Sequence, residues 1–205
     1  MPEHVLAVAL AFASGALLGA LTLELFVDAE ALGGLTRASA GLLAGATAFV
    51  LIDQALILGT GKTGAVGLAL VATVTLDGLP ENAALGVKLV EGPSVALLVA
   101  IALANVPEAL AGSASMRAEG HGRRTTLLVW TGAAILLVPA VLIGHVLLGG
   151  ASDATISLLL AFAGGAVLAA LADTLMPEAY KRGGPWVALA TAAGFLLSFV
   201  LSGQT

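Results

Sequence analysis

Two stretches decide how this chain is read: Thr75-Leu76-Asp77-Gly78-Leu79-Pro80-Glu81-Asn82-Ala83-Ala84-Leu85-Gly86 and Ala102-Leu103-Ala104-Asn105-Val106-Pro107-Glu108-Ala109-Leu110-Ala111-Gly112. Each lies inside a long apolar run. Each sets carboxylate or amide side chains beside a proline. They align at an offset of 27 residues, Pro80 with Pro107, Glu81 with Glu108 and Gly78 with Asn105. A helix that only faces lipid has no use for such groups, because ionisable side chains in hydrocarbon are costly and mark function.

The rest of the chain supplies the hydrocarbon setting. Of 205 residues, 59% are hydrophobic and 10% are charged, whereas a soluble domain carries about 25% charged residues. That leaves too little polar sequence to coat a soluble core. The 26 glycines suit close helix packing in a bilayer. The absence of cysteine excludes disulfides and thiolate metal sites. A net charge of −5 with no basic run gives no indication of nucleic-acid binding.

A spanning helix needs about 20 apolar residues. Seven segments qualify: 5–27, 37–58, 64–88, 93–114, 125–148, 154–176 and 185–202. The connections are short, the longest being 115–124. Residues 1–205 therefore read as a single transmembrane domain, an all-α integral membrane protein built as one bundle of seven transmembrane helices. The first segment follows Pro2-Glu3-His4, with no positive n-region, and reads as a span rather than a signal peptide. An N-terminus in the cytoplasm puts Lys62, Arg117, Arg123, Arg124, Lys181 and Arg182 inside and only Arg37 and Lys88 outside. Positive residues favour the cytoplasmic side. The expectation is a multi-pass protein of the plasma or inner membrane, N-terminus in and C-terminus out, with the lipid bilayer as its partner.

A weak repeat runs through the chain. Phe12-Ala13-Ser14-Gly15 opens a segment ending in Asp28-Ala29, and Phe162-Ala163-Gly164-Gly165 opens one ending in Glu178-Ala179, both at an offset of 150. Ala40-Gly41-Leu42-Leu43 resembles Ala193-Gly194-Phe195-Leu196. Segments one and six cross in opposite directions, as do three and four, which is the pattern of inverted-topology repeats in transporters. Gly15-x-x-x-Gly19 and Gly41-x-x-x-Gly45 suit close helix packing, within the bundle or between protomers.

Six of thirteen acids fall within the segments: Glu24, Asp53, Asp77, Glu81, Glu108 and Asp173. No Lys or Arg is expected among them, so each must be protonated, hydrated or bound to a cation. Glu24, Asp53 and Asp173 lie close enough to segment ends to reach water. Asp77, Glu81 and Glu108 do not. Asp77 and Glu81 are i, i+4 and share a face, while Asn105 and Glu108 are i, i+3. Pro80 and Pro107 each remove a backbone donor and free a carbonyl upstream. The expected metal site is Asp77, Glu81, Asn105 and Glu108, all oxygen ligands. Such sites suit hard divalent cations. On these residues alone the chain reads as a divalent-cation or proton-coupled carrier. His145, near the end of segment five, is a candidate for the entrance. No nucleophile–base pair and no deeply placed histidine is present, so an enzyme is not expected.

The two Pro-Glu stretches resemble the fourth and fifth helices of the ZIP (Zrt/Irt-like) family of metal transporters, where both read His-Asn-x-Pro-Glu-Gly. Phe12 to Glu24 resembles the family's second helix, and Gly41-Leu42-Leu43 onward its third. Leu171-Ala172-Asp173-Thr174-Leu175-Met176-Pro177-Glu178-Ala179 is similar to the end of its seventh, and Gly194-Phe195-Leu196-Leu197 to its eighth. The departures are specific. The family has eight helices and this chain shows seven. Asp77 stands where the family has His, Ala104 where it has the second His, Gly78 where it has Asn, and Ile135 where a further Glu is usual. The resemblance implies a mononuclear, acidic, histidine-free site. It implies a transporter moving Zn, Fe or Mn, with Cd also accepted, toward the cytoplasm by an elevator-like or rocking movement. The metal is the substrate, and no organic cofactor is expected. Glu24 and His145 would line the outer approach, and Asp53 and Asp173 the inner exit. A homodimer is implied by the family alone. Two alternatives stay open: a transport-incompetent metal sensor or partner subunit, and a proton or organic-cation carrier.

Overall fold

The computed structural model describes residues 2–60, 66–148 and 150–203; for 56–60, 66–74, 76, 77, 91, 147 and 148 it describes the backbone alone. Among the described residues the chain is helical, with no strand. The helices are α1 (Glu3–Gly33), α2 (Leu35–Thr60), α3 (Val66–Glu91), α4 (Val95–Ala118), α5 (Arg123–Leu148), α6 (Asp153–Gly183) and α7 (Val187–Ser202). Each expected segment falls on one of them, residues 64 and 65 of the third lying outside the described residues. Five stretches are long and apolar enough to cross a membrane: α1, Leu35–Ala55 of α2, α4, Arg123–Val146 of α5, and α6. The helix α7 is apolar but shorter.

Two helices outrun the apolar segments from which they were expected. Both α1 and α6 are 31 residues long, rather than ending near 27 and 176. Asp28-Ala29-Glu30-Ala31 and Glu178-Ala179-Tyr180-Lys181 are polar, but nothing in them breaks a helix, so the backbone hydrogen bonds continue past the apolar part. Each helix stops at a glycine in the left-handed region, Gly34 (φ 79°) and Gly184 (φ 66°). A side chain there is strained, which makes these firm ends.

Each long helix also widens once into a π turn, at Leu21–Phe26 in α1 and Leu171–Leu175 in α6. The turns begin 150 residues apart, as do the terminal glycines. The contacts repeat at the same interval. Gly33 lies against Ser157, and Gly183 lies against Ala7. A Cβ on Gly194 would press on the Phe12 carbonyl, and one on Gly45 would press on the Phe162 carbonyl. Gly45 is therefore the counterpart of Gly194, one helical turn beyond the Gly41 that the local sequence match suggests. Gly41 lies on the same stripe, four residues earlier, so the short match slipped by a turn.

Three backbone-to-backbone packings organise the bundle. Gly15 of α1 meets the Thr191 carbonyl of α7, while Gly19 meets Ser198. Gly41 of α2 meets the Leu158 carbonyl of α6, while Gly45 meets Phe162. Gly86 of α3 meets the Val141 carbonyl of α5, while Gly78 meets Leu137. In each pair the residue numbers rise together, so the helices are parallel. In contrast α1 and α6 are antiparallel: Gly164 lies against Leu21 and Leu25, while Gly183 lies against Ala7. Both expected small-residue stripes thus pack inside the bundle. The core at their centre is almost wholly apolar, with Leu17, Leu25, Leu160 and Leu171 fully buried.

Two buried hydroxyls tie helices together. Ser157 Oγ donates to the Ala29 carbonyl at 2.6 Å, and Ser198 Oγ donates to the Ala16 carbonyl at 2.5 Å. Interhelical bonds of this kind average about 0.6 kcal/mol in membrane proteins and rarely exceed about 1.7. Ser198→Ala should therefore lower the stability measured by reversible unfolding in mixed micelles by less than about 2 kcal/mol. A larger loss would mean that the hydroxyl does more than join α7 to α1.

Candidate metal-binding site

The two Pro-Glu stretches sit on α3 and α4, and neither proline ends its helix. Pro107 has no N–H for the Leu103 carbonyl, and Pro80 has none for the carbonyl of residue 76. Glu81 is buried, 4% exposed. Glu108 and Asn105 are half-buried. Asp77 lies on α3, and its side chain falls outside the described residues. Among the described residues no three of His, Asp or Glu gather closely enough to hold a metal ion.

Asn105 opens onto a cavity of about 540 Å³ between α3, α4 and α5. Thr75, Asn82 and Trp130 share its lining with Ala109, Ala133 and several aliphatic side chains. Asn82 Nδ2 donates to the Gly78 carbonyl at 2.8 Å, one turn back along α3. The Trp130 indole N–H is buried with no acceptor, an arrangement that costs about 1–3 kcal/mol unless a partner is supplied. The polar face of this cavity is thus uncharged. Thr75 and Asn82 were not singled out from sequence, although their spacing of two helical turns places them on one face.

The acids nearer the helix ends fall into two groups. Glu24 lies in the π turn of α1 and is 6% exposed. The sequence suggested that it has no cationic partner, and the structure corrects this. Lys88 Nζ lies 3.9 Å from Glu24 and pairs directly with Asp28. Lys88 belongs to α3, 64 residues away in sequence, and no local pattern reveals a pairing at that range. Asp28 and Lys88 also line a cavity of about 500 Å³ with Glu24, Leu23, Gly92 and Ser202. His145 is exposed and is not part of that lining.

Asp53 and Asp173 form the second group. They are brought close enough for their like charges to interact. Asp173 lies in the π turn of α6 and is exposed, while Asp53 on α2 is half-buried. The sequence placed both at one end, and the fold brings them together. No cation joins them among the described ion pairs.

A further, almost wholly apolar cavity of about 530 Å³ lies between α2, α3, α5 and α6 against Pro80 and Pro139, and no charged side chain lines it. No family model matches the chain, and no curated protein matches it in sequence.

Proposed function

We propose that this chain is a divalent metal cation transporter, of the Zn, Fe or Mn class, with all seven helices crossing the membrane. The observation that carries the reading is a pair of proline-interrupted helices, α3 and α4. One bears a buried carboxylate, Glu81, and the other a half-buried Glu108 and Asn105. Carboxylates carried into an apolar helical bundle are costly and mark candidate functional sites. Asp77, Glu81, Asn105 and Glu108 would supply three carboxylates and an amide, which suit a hard divalent ion.

The packing supports alternating access. Every parallel contact joins helices of the same parity in the chain, α1 with α7, α2 with α6 and α3 with α5, as seven successive crossings require. The 150-residue equivalence between two antiparallel helices, α1 and α6, supports an inverted repeat. The movement toward the cytoplasm and the likeness to ZIP transporters belong to the same proposal, as does a homodimer. Because both small-residue stripes are used inside the bundle, a dimer contact would use another surface.

The test is uptake of radioactive Zn, Mn or Fe into proteoliposomes. Glu108→Ala should reduce the initial rate to background while the protein still elutes as a single peak. Normal uptake by that variant would remove the site assignment. Metal binding without any flux in the wild type would assign the chain to the sensor class.

A further inference from the structure

Lys88 is the one basic residue on α3 whose side chain is described, and it points its charge at another helix. Its side chain is 12% exposed, and it pairs with Asp28 and lies 3.9 Å from Glu24. Both acids are on α1, at i and i+4, where the π turn ends. Lys88 lies two helical turns beyond Glu81 on α3 (about 10 Å). The helix that carries a candidate metal ligand is thus tied to α1 by an attractive ionic contact.

At the opposite end of the bundle the described tie to α1 is an exposed one: Arg182 of α6 lies 3.9 Å from Glu3, whose side chain is 78% exposed, and exposed pairs of this kind hold little. The repeat counterparts of Glu24 and Asp28 are Thr174 and Glu178. Glu178 pairs at 2.5 Å with Arg182 of its own helix, the same arginine that lies near Glu3. The counterpart of Lys88, by the 27-residue offset, is Ser115 on α4. That end also carries Asp53 and Asp173, near enough for like charges to interact. One end is held to α1 by a largely buried ionic contact, while the other is held by an exposed one.

We infer that the contact of Lys88 with Asp28 and Glu24 is a latch, closing one end of the pathway by holding α3 against α1. It rests on the transporter reading and adds to it the state that the structure represents: closed at the Lys88 end. Release of the latch lets α3 separate from α1 and admits water toward Glu81.

The chain has no cysteine, so single introduced thiols report locally. Ala84, on α3 between Glu81 and Lys88, is fully buried, and Ala179, toward the far end of α6, is 2% exposed. Ala84→Cys and Ala179→Cys would be reacted separately with a water-soluble maleimide in lipid nanodiscs, which expose both faces. With Lys88→Met added, labelling at position 84 should rise at least about fivefold, within the usual range of conformational coupling. Labelling at 179 should stay as it was, and Lys88→Arg should keep position 84 protected. If Lys88→Met does not fold, Asp28→Asn breaks the same contact and should give the same contrast. Unchanged labelling at 84, or an equal rise at both positions, would overturn the latch. Labelling requires no flux, so the latch can pass this test even if uptake assays reject the transporter, and fail it even if they do not.

Discussion

Valine at Gly194 should abolish the folded bundle. A Cβ there would come closer than 3.0 Å to the carbonyl carbon and oxygen of Phe12 and to the amide nitrogen of Ala16. These are backbone atoms of a packed helix and cannot rotate aside. Overpacking a core costs about 1–3 kcal/mol, occasionally more, and those values apply where side chains can yield. Here the obstacle is backbone on backbone, so the expected loss exceeds about 3 kcal/mol, a large share of the roughly 5–15 that a domain has. The purified variant should aggregate or melt far below the wild type in detergent. Gly45→Val should behave alike, because it presses on Phe162 in the same way. An unchanged melting temperature for either variant would show that these helices lie farther apart than described.

Glu81→Ala should cause as large a functional loss as Glu108→Ala. The side chain is almost wholly buried on α3, so no water replaces the lost carboxylate oxygens. Even indirect partners of a metal ligand cost about 10–100-fold when removed. Loss of a ligand itself should lower initial metal uptake in proteoliposomes at least tenfold. Asp53→Ala should only slow uptake, within about threefold, since Asp173 remains to attract cations at that end. The two variants separate site from pathway. Equal losses in both would place the rate-limiting step at the Asp53 end instead.

The architecture was legible where it depended on the length of apolar runs and unreadable where it depended on single backbone hydrogen bonds. Seven apolar segments marked seven helices, because an uninterrupted apolar run of that length forms a helix far more readily than a strand. The polar ends of α1 and α6 were missed because an apolar run reports on the surroundings of side chains, not on where helical bonding stops. The π turns at Leu21 and Leu171 left no mark, since one extra residue in a turn changes no residue type. Of the proposed site, single residues were legible. Glu81 stood out as a carboxylate in an apolar run, and its burial agrees. The expectation of isolated acids failed at Glu24, because Lys88 looked like an interfacial residue and its flexible four-carbon stem carries its charge to α1. Asp77 lies outside the described side chains, so the full ligand set rests on the sequence.

The 150-residue correspondence makes the chain its own control. Gly33 with Ser157 and Gly183 with Ala7 are the same junction built twice, once with a hydroxyl and once with a methyl group. A substitution placed at both members of such a pair should cost the same wherever only packing is involved. Where the two costs differ, the difference measures what each half does beyond holding its shape. Glu24 and Thr174, one charged and one neutral at the same turn, are where that difference should be greatest.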